Sequence, residues 1–334
     1  MKKPAIMLLI ISGICMCFFC GCGPKVEQNM QKEILGTIVT VSIYTNQGKE
    51  PLNAAFARAE ELEIILSANE ENSELSRLNQ RAYLEEVVVS KELFSVIERG
   101  VYYGNLTDGA LDITIGNLID LWGIGTSEEK VPEREEILPY IGLRGYEKIV
   151  LNEERSSIRF LDAKIKINLG AIAKGYIADE MKKLLVVKYE ITNGMLNLGG
   201  NVLLIGKKKD GRDWKVGIAN PLDPERVIAS LDLADKTLVT SGNYQRYFQQ
   251  DGEWYHHILD PFTGYPANSG FISTSIFTEC SMDADALSTA TYVMGKERTM
   301  ELLEQFKDCE GVFILEDGSR VKTSGVASYT YQEY

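Results

Sequence analysis

A chain of 334 residues with 45% apolar and 25% charged side chains has the composition of an ordinary globular protein, long enough for one large core or two small ones. Its formal charge of -13 argues against nucleic-acid binding, which needs basic patches to displace counterions. An anionic small molecule is not excluded, because a site can be locally basic or carry a metal.

Residues 1–22 read as a signal and not as part of the fold. Lys2 and Lys3 form a positive start, and "PAIMLLIISGICMCFF" is an apolar stretch short for a membrane span. It ends in "FCGC", with Gly21 before Cys22. That resembles a bacterial lipoprotein signal, in which cleavage leaves Cys22 lipidated at the new N-terminus. Phe19 stands where leucine is usual, and an uncleaved membrane anchor is the alternative. Residues 23–33 are then expected as a tether, and residues 34–334 as the folded domain. The expected location is the extracytoplasmic face of the bacterial cell membrane. Four of the six cysteines fall in the signal. Cys280 and Cys309 remain, either as a pair in an oxidising compartment or as buried thiols. No cysteine spacing suits a metal.

Further along, "PLNAAFARAEELEIILS" (51–67) and "SKELFSVIERGVYYGNL" (90–106) carry helical apolar spacing. "TDGALDITIGNLIDLWG" (107–123) reads as a strand and turn, and "REEILPYIG" (134–142) as a short helix disturbed by Pro139. "YEKIVLNEERSSIRF" (146–160) reads as a hairpin. "GAIAKGYIADEMKKLLVV" (170–187) is a helix opening at a glycine turn. Alternating strands around Gly-rich turns follow from 194 to 261. "SMDADALSTATYVMG" (281–295) and "KERTMELLEQFK" (296–307) are helices, and "GVFILEDGSRVKTSG" (311–325) closes as a hairpin around Asp317-Gly318. Helices and hairpins without βαβ alternation predict an α+β fold, with mixed, largely antiparallel sheets and flanking helices.

Four stretches can carry chemistry. In "DADALST", Asp285 and Thr289 stand at i and i+4, one turn apart on one helix face. Such oxygen ligands suit Mg²⁺ or Ca²⁺, and Ser288 can add a contact. The bland alternative is that Asp283 and Asp285 simply favour the helix dipole. In "INLGAIAKGYIAD", Gly170 feeds a helix start and Lys174 would add charge for a phosphate. An ordinary helix start with an exposed lysine is the alternative. It is not a Walker A loop, since Lys174 precedes Gly175. In 107–123, Asp108, Asp112 and Trp122 would line a flat ligand, or merely pack into the core. "YHHILDPFTGYP" holds His256 and His257, the only two histidines. Adjacent strand residues face opposite ways, so a joint metal site is not expected and zinc is nearly excluded.

Taken in register, "GTIVTVSIY", "SELSRLN", "TDGALDITIG", "LGAIAKGYIAD", "LNLGGN", "WKVGIANP", "TSGNYQRYF", "HHILDPFTGYP" and "ADALSTATYVMG" resemble the ApbE family, the FAD:protein FMN transferases, from about Gly36 to the end of the chain. The resemblance implies a phosphoryl-type transferase that moves FMN from FAD onto a threonine hydroxyl of an acceptor protein, with Mg²⁺ required and AMP released. Acceptors would be membrane or exported redox proteins. Carried over by motif, Asp285 and Thr289 would bind the ion through side chains and Ala171 through its carbonyl. Lys174 would hold the FAD phosphates. Leu35, Asn69, Ala110, Leu111, Asp112, Asn168 and Thr263 would contact FAD. His257 would be the general base and His256 a structural neighbour. The family pattern is broken at three places. Asn168 and Asn243 replace common aspartates, and Asn69 replaces a common tyrosine. Without that ring water can reach the phosphates, so FAD hydrolysis to FMN and AMP is an expected side activity. A non-enzymatic flavin- or solute-binding lipoprotein is the rival reading.

Overall fold

The computed structural model describes residues 24–334, so the expected signal at 1–22 and its lipidation site Cys22 lie outside the described residues. The chain opens with β1 (Val26–Ile34) and β2 (Thr37–Thr45), then α1 (Glu50–Leu66) and α2 (Glu74–Arg81). Next come β3 (Val87–Val88), α3 (Lys91–Leu106), α4 (Gly116–Trp122), α5 (Arg134–Ile137), β4 (Ile149–Asn152) and β5 (Ser157–Phe160). After α6 (Ala173–Tyr189) run β6 (Gly194–Leu198), β7 (Asn201–Ile205), β8 (Trp214–Asn220), β9 (Asp223–Leu233) and β10 (Thr237–Gly242). The hairpin β11 (Tyr247–Gln250) and β12 (Glu253–His256) precedes β13 (Phe271–Thr278), α7 (Ser281–Met294) and α8 (Lys296–Leu303). The last elements are β14 (Glu310–Leu315), β15 (Arg320–Lys322) and β16 (Tyr331–Glu333).

One sheet organises the molecule. Its eight strands run β1-β2-β6-β7-β10-β13-β14-β15, and every neighbouring pair is antiparallel. Period-two alternation sends the side chains of its central strands into two different cores. Leu203, Ile205, Val239, Ile276 and Phe313 face the helical side. Leu204, Leu238, Phe277, Val312 and Ile314 face a second sheet, β16-β9-β8, and meet Val216, Ile218, Leu231 and Leu233. Burial on both faces is why β7 and β14 read as apolar runs, whereas β10 and β13 bury hydroxyl residues such as Ser241, Ser273, Thr274 and Ser275 as well. The α+β architecture with antiparallel sheets is as expected from the sequence.

Two expectations need correction. The segment anticipated as a tether at 23–33 is a strand from Val26 onward, paired residue for residue with β2. It is an edge strand whose residues are mostly exposed, so it lacks apolar alternation. The stretch at 107–123 is a turn followed by the helix α4, not a strand and turn. Cys280 and Cys309 are unpaired thiols. No helix among the described residues is long and apolar enough to cross a membrane.

Helices α6 and α7 are locked to each other at their N-terminal ends. Asp179 of α6 accepts hydrogen bonds from the Ser281 and Met282 N–H groups at 3.0 and 2.9 Å, capping α7 from outside its own chain segment. Gly175 allows the approach, since a Cβ there would overlap the Ser281 carbonyl. Asp179→Ala strands those donors in a largely buried place. It is expected to lower the unfolding free energy by about 2 kcal/mol. A chemical-denaturation midpoint that does not move would refute the cap.

Candidate active site

The site forms where α7 meets the start of α6. Asp285 is buried, 2% exposed, and Thr289 lies one turn further along the same face. Asp285 Oδ2 accepts the Gly175 N–H at 2.9 Å, and its Oδ1 lies 3.5 Å from Lys174 Nζ. A regular helix would aim the Gly175 N–H at the Ala171 carbonyl four residues back. Donation to Asp285 draws away the usual helical partner of that carbonyl. Thr289 Oγ1 lies 3.4 Å from Ser241 Oγ. Ser288, offered by the sequence as a further contact, is occupied inside the fold: its hydroxyl meets Ser241 Oγ at 2.8 Å and the Asp285 carbonyl at 2.9 Å. Asp283 is not a ligand either, being paired with Arg99 at 2.6 Å.

This donor set is one carboxylate, one hydroxyl and one carbonyl, all hard oxygens. Among the described residues no three His, Cys, Asp or Glu side chains converge as a metal cluster. Such a set fits Mg²⁺, which is held by one or two carboxylates together with substrate phosphates rather than by an all-protein cage. It does not fit zinc.

The two histidines are held differently. His256 Nδ1 accepts the Ile258 N–H at 3.3 Å and its Nε2 lies 3.1 Å from the Ala267 carbonyl. Both nitrogens are thereby used in the neutral ring, which also rests edge-on against Tyr292 at 5.5 Å. His257 Nδ1 lies 3.2 Å from the Arg246 carbonyl. A carbonyl can only accept, so Nδ1 carries the proton and Nε2 keeps its lone pair. Burial pushes His257 down to about 4, and the charges of Lys174 and Arg246 push the same way. The ring is therefore a neutral acceptor at neutral pH. His256 is also lowered to about 4, again by burial.

The remaining expected residues surround this centre. Leu35 sits at φ 59 in the two-residue turn between β1 and β2, its N–H bound to Glu63 at 2.7 Å. Asn69 is exposed in the loop after α1. Asn168 Oδ1 accepts the Gly170 N–H at 2.9 Å and shapes the turn into α6. Asp112 points inward, accepting from Thr114 N, Thr114 Oγ1 and Gly145 N at 2.9, 2.6 and 3.1 Å. Burial raises its pKa; its carboxylate is spent on tying the 107–114 loop. Ala110 and Leu111 of that loop are buried. Asp108 pairs with Arg144 at 2.8 Å on the outside. Trp122 is core: its Nε1 donates to the Gly264 carbonyl at 2.8 Å and so fixes the turn bearing Thr263. Exposed Thr263 helps line a cavity of about 260 Å³ with Arg134, Ile137, Leu138, Ile141, Phe262 and Tyr265. A larger cavity of about 490 Å³, lined by Glu86, Val150 and Glu153 among others, contains none of the expected site residues.

Asn79 escaped sequence reasoning. Its amide grips the Ile167 backbone from both sides, at 2.9 and 2.7 Å, and so places Asn168. The available signal was an asparagine inside a helix, where it is a poor former and wants a specific partner.

The α6–α7 junction thus sets a buried carboxylate, a hydroxyl and a lysine side by side, the composition of a site for an anionic ligand and a hard cation. The ApbE family model matches residues 35–313, and the chain belongs to the ApbE family. It is 33% identical to the FAD:protein FMN transferase of Treponema pallidum, over 93% of this chain and 92% of that protein. It is 30% identical to that of Klebsiella pneumoniae, over 87% of this chain and 90% of the relative. The ApbE protein of Thermotoga maritima superposes with a TM-score of 0.84 at 31% identity, covering 91% of this chain and 99% of that one. The flavin transferase ApbE of Vibrio cholerae gives 0.82 at 29%, covering 92% and 100%.

Proposed function

We propose that this chain transfers FMN from FAD to a threonine hydroxyl of an acceptor protein and releases AMP, in a Mg²⁺-dependent reaction at the extracytoplasmic face of a membrane to which Cys22 anchors it. The observation that carries this reading is convergence on Lys174: its ammonium lies 3.5 Å from Asp285 and is close enough to lower the His257 pKa. A cation and a candidate metal ligand thus stand side by side, and the candidate base lies within range of the same lysine charge.

Phosphoryl-type transfer is mostly positioning and charge stabilisation. Asp285, Thr289 and the Ala171 carbonyl would hold Mg²⁺, which when bound supplies charge neutralisation on phosphate oxygens. Lys174 binds the FAD phosphates, and Leu35, Asn168 and the Thr263 turn border the bound dinucleotide. The threonine oxygen forms a bond to the FMN phosphorus while the bond from that phosphorus to the AMP oxygen breaks. The threonine proton passes to His257 Nε2. Incubation with FAD and Mg²⁺ tests the reading through AMP release and flavin fixed to an acceptor. A chain that binds FAD and never cleaves it is the rival binding lipoprotein.

Asn69 adds a side reaction. It is small and exposed where the family resemblance implies a tyrosine, so water can compete with threonine for the same phosphorus. Slow AMP release without acceptor is expected, and Asn69→Tyr should suppress it and tighten FAD binding by about 0.5–1.5 kcal/mol, the contribution of an aromatic stack. No AMP above the metal-free control in the wild type would show that the open side chain is irrelevant.

A further inference from the structure

Arg246 stands between two parts of the site that the sequence does not connect. Its backbone carbonyl receives both the His257 N–H at 3.1 Å and the ring Nδ1 at 3.2 Å. Its guanidinium Nη2 donates to the Gly36 carbonyl at 3.3 Å. Gly36 (φ 62) and Leu35 (φ 59) form the turn of the β1–β2 hairpin. A leucine rarely adopts this left-handed conformation, because its Cβ crowds the following carbonyl. The strained tip is thus held at two points, by Glu63 on the Leu35 N–H and by Arg246 on the Gly36 carbonyl. Among the described residues no carboxylate forms an ion pair with Arg246, although the chain carries 48 acidic side chains. Its side chain instead spends one donor on a neutral carbonyl.

We propose that Arg246 is a positioning residue that clamps the Leu35–Gly36 hairpin tip to the strand end bearing His257, coupling the hold on FAD to the orientation of the base. The inference rests on the site reading above, in which Leu35 borders FAD and His257 accepts the proton. The clamp works from both ends of one residue. The carbonyl fixes the His257 tautomer that leaves Nε2 free, and the side chain fixes the tip. The charged groups acting on the His257 ring are Lys174, Arg246 and its neighbour His256. Loss of the Arg246 charge therefore raises the imidazole pKa; loosened packing would raise it too, by relieving the burial, but would also lower the melting temperature, and Arg246→Lys separates the two.

Arg246→Gln and Arg246→Lys in the full chain test this. Titration with FAD and Mg²⁺ by flavin fluorescence, steady-state kinetics across pH, and thermal melting are measured together. Arg246→Gln is expected to raise KM for FAD about tenfold, the equivalent of one lost charge-assisted hydrogen bond. It should also move the acid limb of kcat/KM to higher pH, with the melting temperature unchanged. Arg246→Lys should restore the acid limb, because the charge returns, and recover KM only in part. An unchanged KM and acid limb in Arg246→Gln would overturn the clamp. So would activity lost only in step with melting temperature. A wild-type chain that does not bind FAD overturns the site reading itself, and this inference with it.

Discussion

Asp285→Asn is expected to lower Mg²⁺-dependent turnover at least about 10²-fold, as removal of one preorganised charge-stabilising group does elsewhere, while the protein melts where the wild type does. The choice of asparagine follows from the packing. Asp285 is buried and accepts the Gly175 N–H, so it is not a freely exposed ligand that can be deleted without consequence. Asparagine keeps an oxygen for that N–H and removes only the charge. Alanine acts differently. It frees the Gly175 N–H to turn back to the Ala171 carbonyl, which restores a regular helical bond and consumes a second candidate ligand. Asp285→Ala should therefore be at least as inactive as Asp285→Asn, with only a modest loss of stability. The measurement is AMP release against Mg²⁺ concentration for both variants, beside their melting curves. Wild-type turnover and Mg²⁺ dependence in Asp285→Asn would remove this residue from the metal site.

What the sequence reveals is what depends on local periodicity. The i,i+4 spacing of Asp285 and Thr289 belongs to a helix, and helix geometry alone puts them on one face. The placement of Lys174 just inside a helix start follows from the same kind of rule. What stayed hidden depends on partners far along the chain. The strand β1 is polar and lies at a sheet edge, so only its pairing with β2 reveals it. Asp112 is expected near the ligand from the family motif, but nothing in its spacing shows what its carboxylate holds. Its inward turn is decided by Gly145, 33 residues away. Asn79 acts on Ile167 across 88 positions and Arg246 on Gly36 across 210. No spacing rule reaches that far.

His257→Ala is expected to reduce transfer by roughly 10²–10⁴-fold, the range for loss of a general base, and His256→Gln far less. The geometry separates them. His256 has both ring nitrogens committed to the Ile258 N–H and the Ala267 carbonyl, so it has no lone pair to offer. His257 keeps Nε2 free. The pH dependence gives an independent reading. In the free enzyme His257 is held at about 4, by burial first and by the Lys174 and Arg246 charges in addition. The acid limb of kcat/KM, which reports the free enzyme, should lie near that value. The bound pyrophosphate offsets both cations, so the limb of kcat, which reports the complex, should lie higher. Stability follows the opposite bookkeeping for His256. Its folded pKa, about 4, is below the usual histidine value of 6.5, so the unfolded chain binds more protons between those limits. The stability contribution is complete above pH 6.5 and is lost as pH falls toward 4. His256→Gln, which can keep the two hydrogen bonds without a titrating ring, should therefore lessen the decline of melting temperature in that window, leaving the share due to His257, and leave the kinetic limbs in place. His257→Ala should abolish the kinetic limbs. Equal losses of turnover in the two variants would make both histidines structural and would leave the proton of the threonine to some other acceptor.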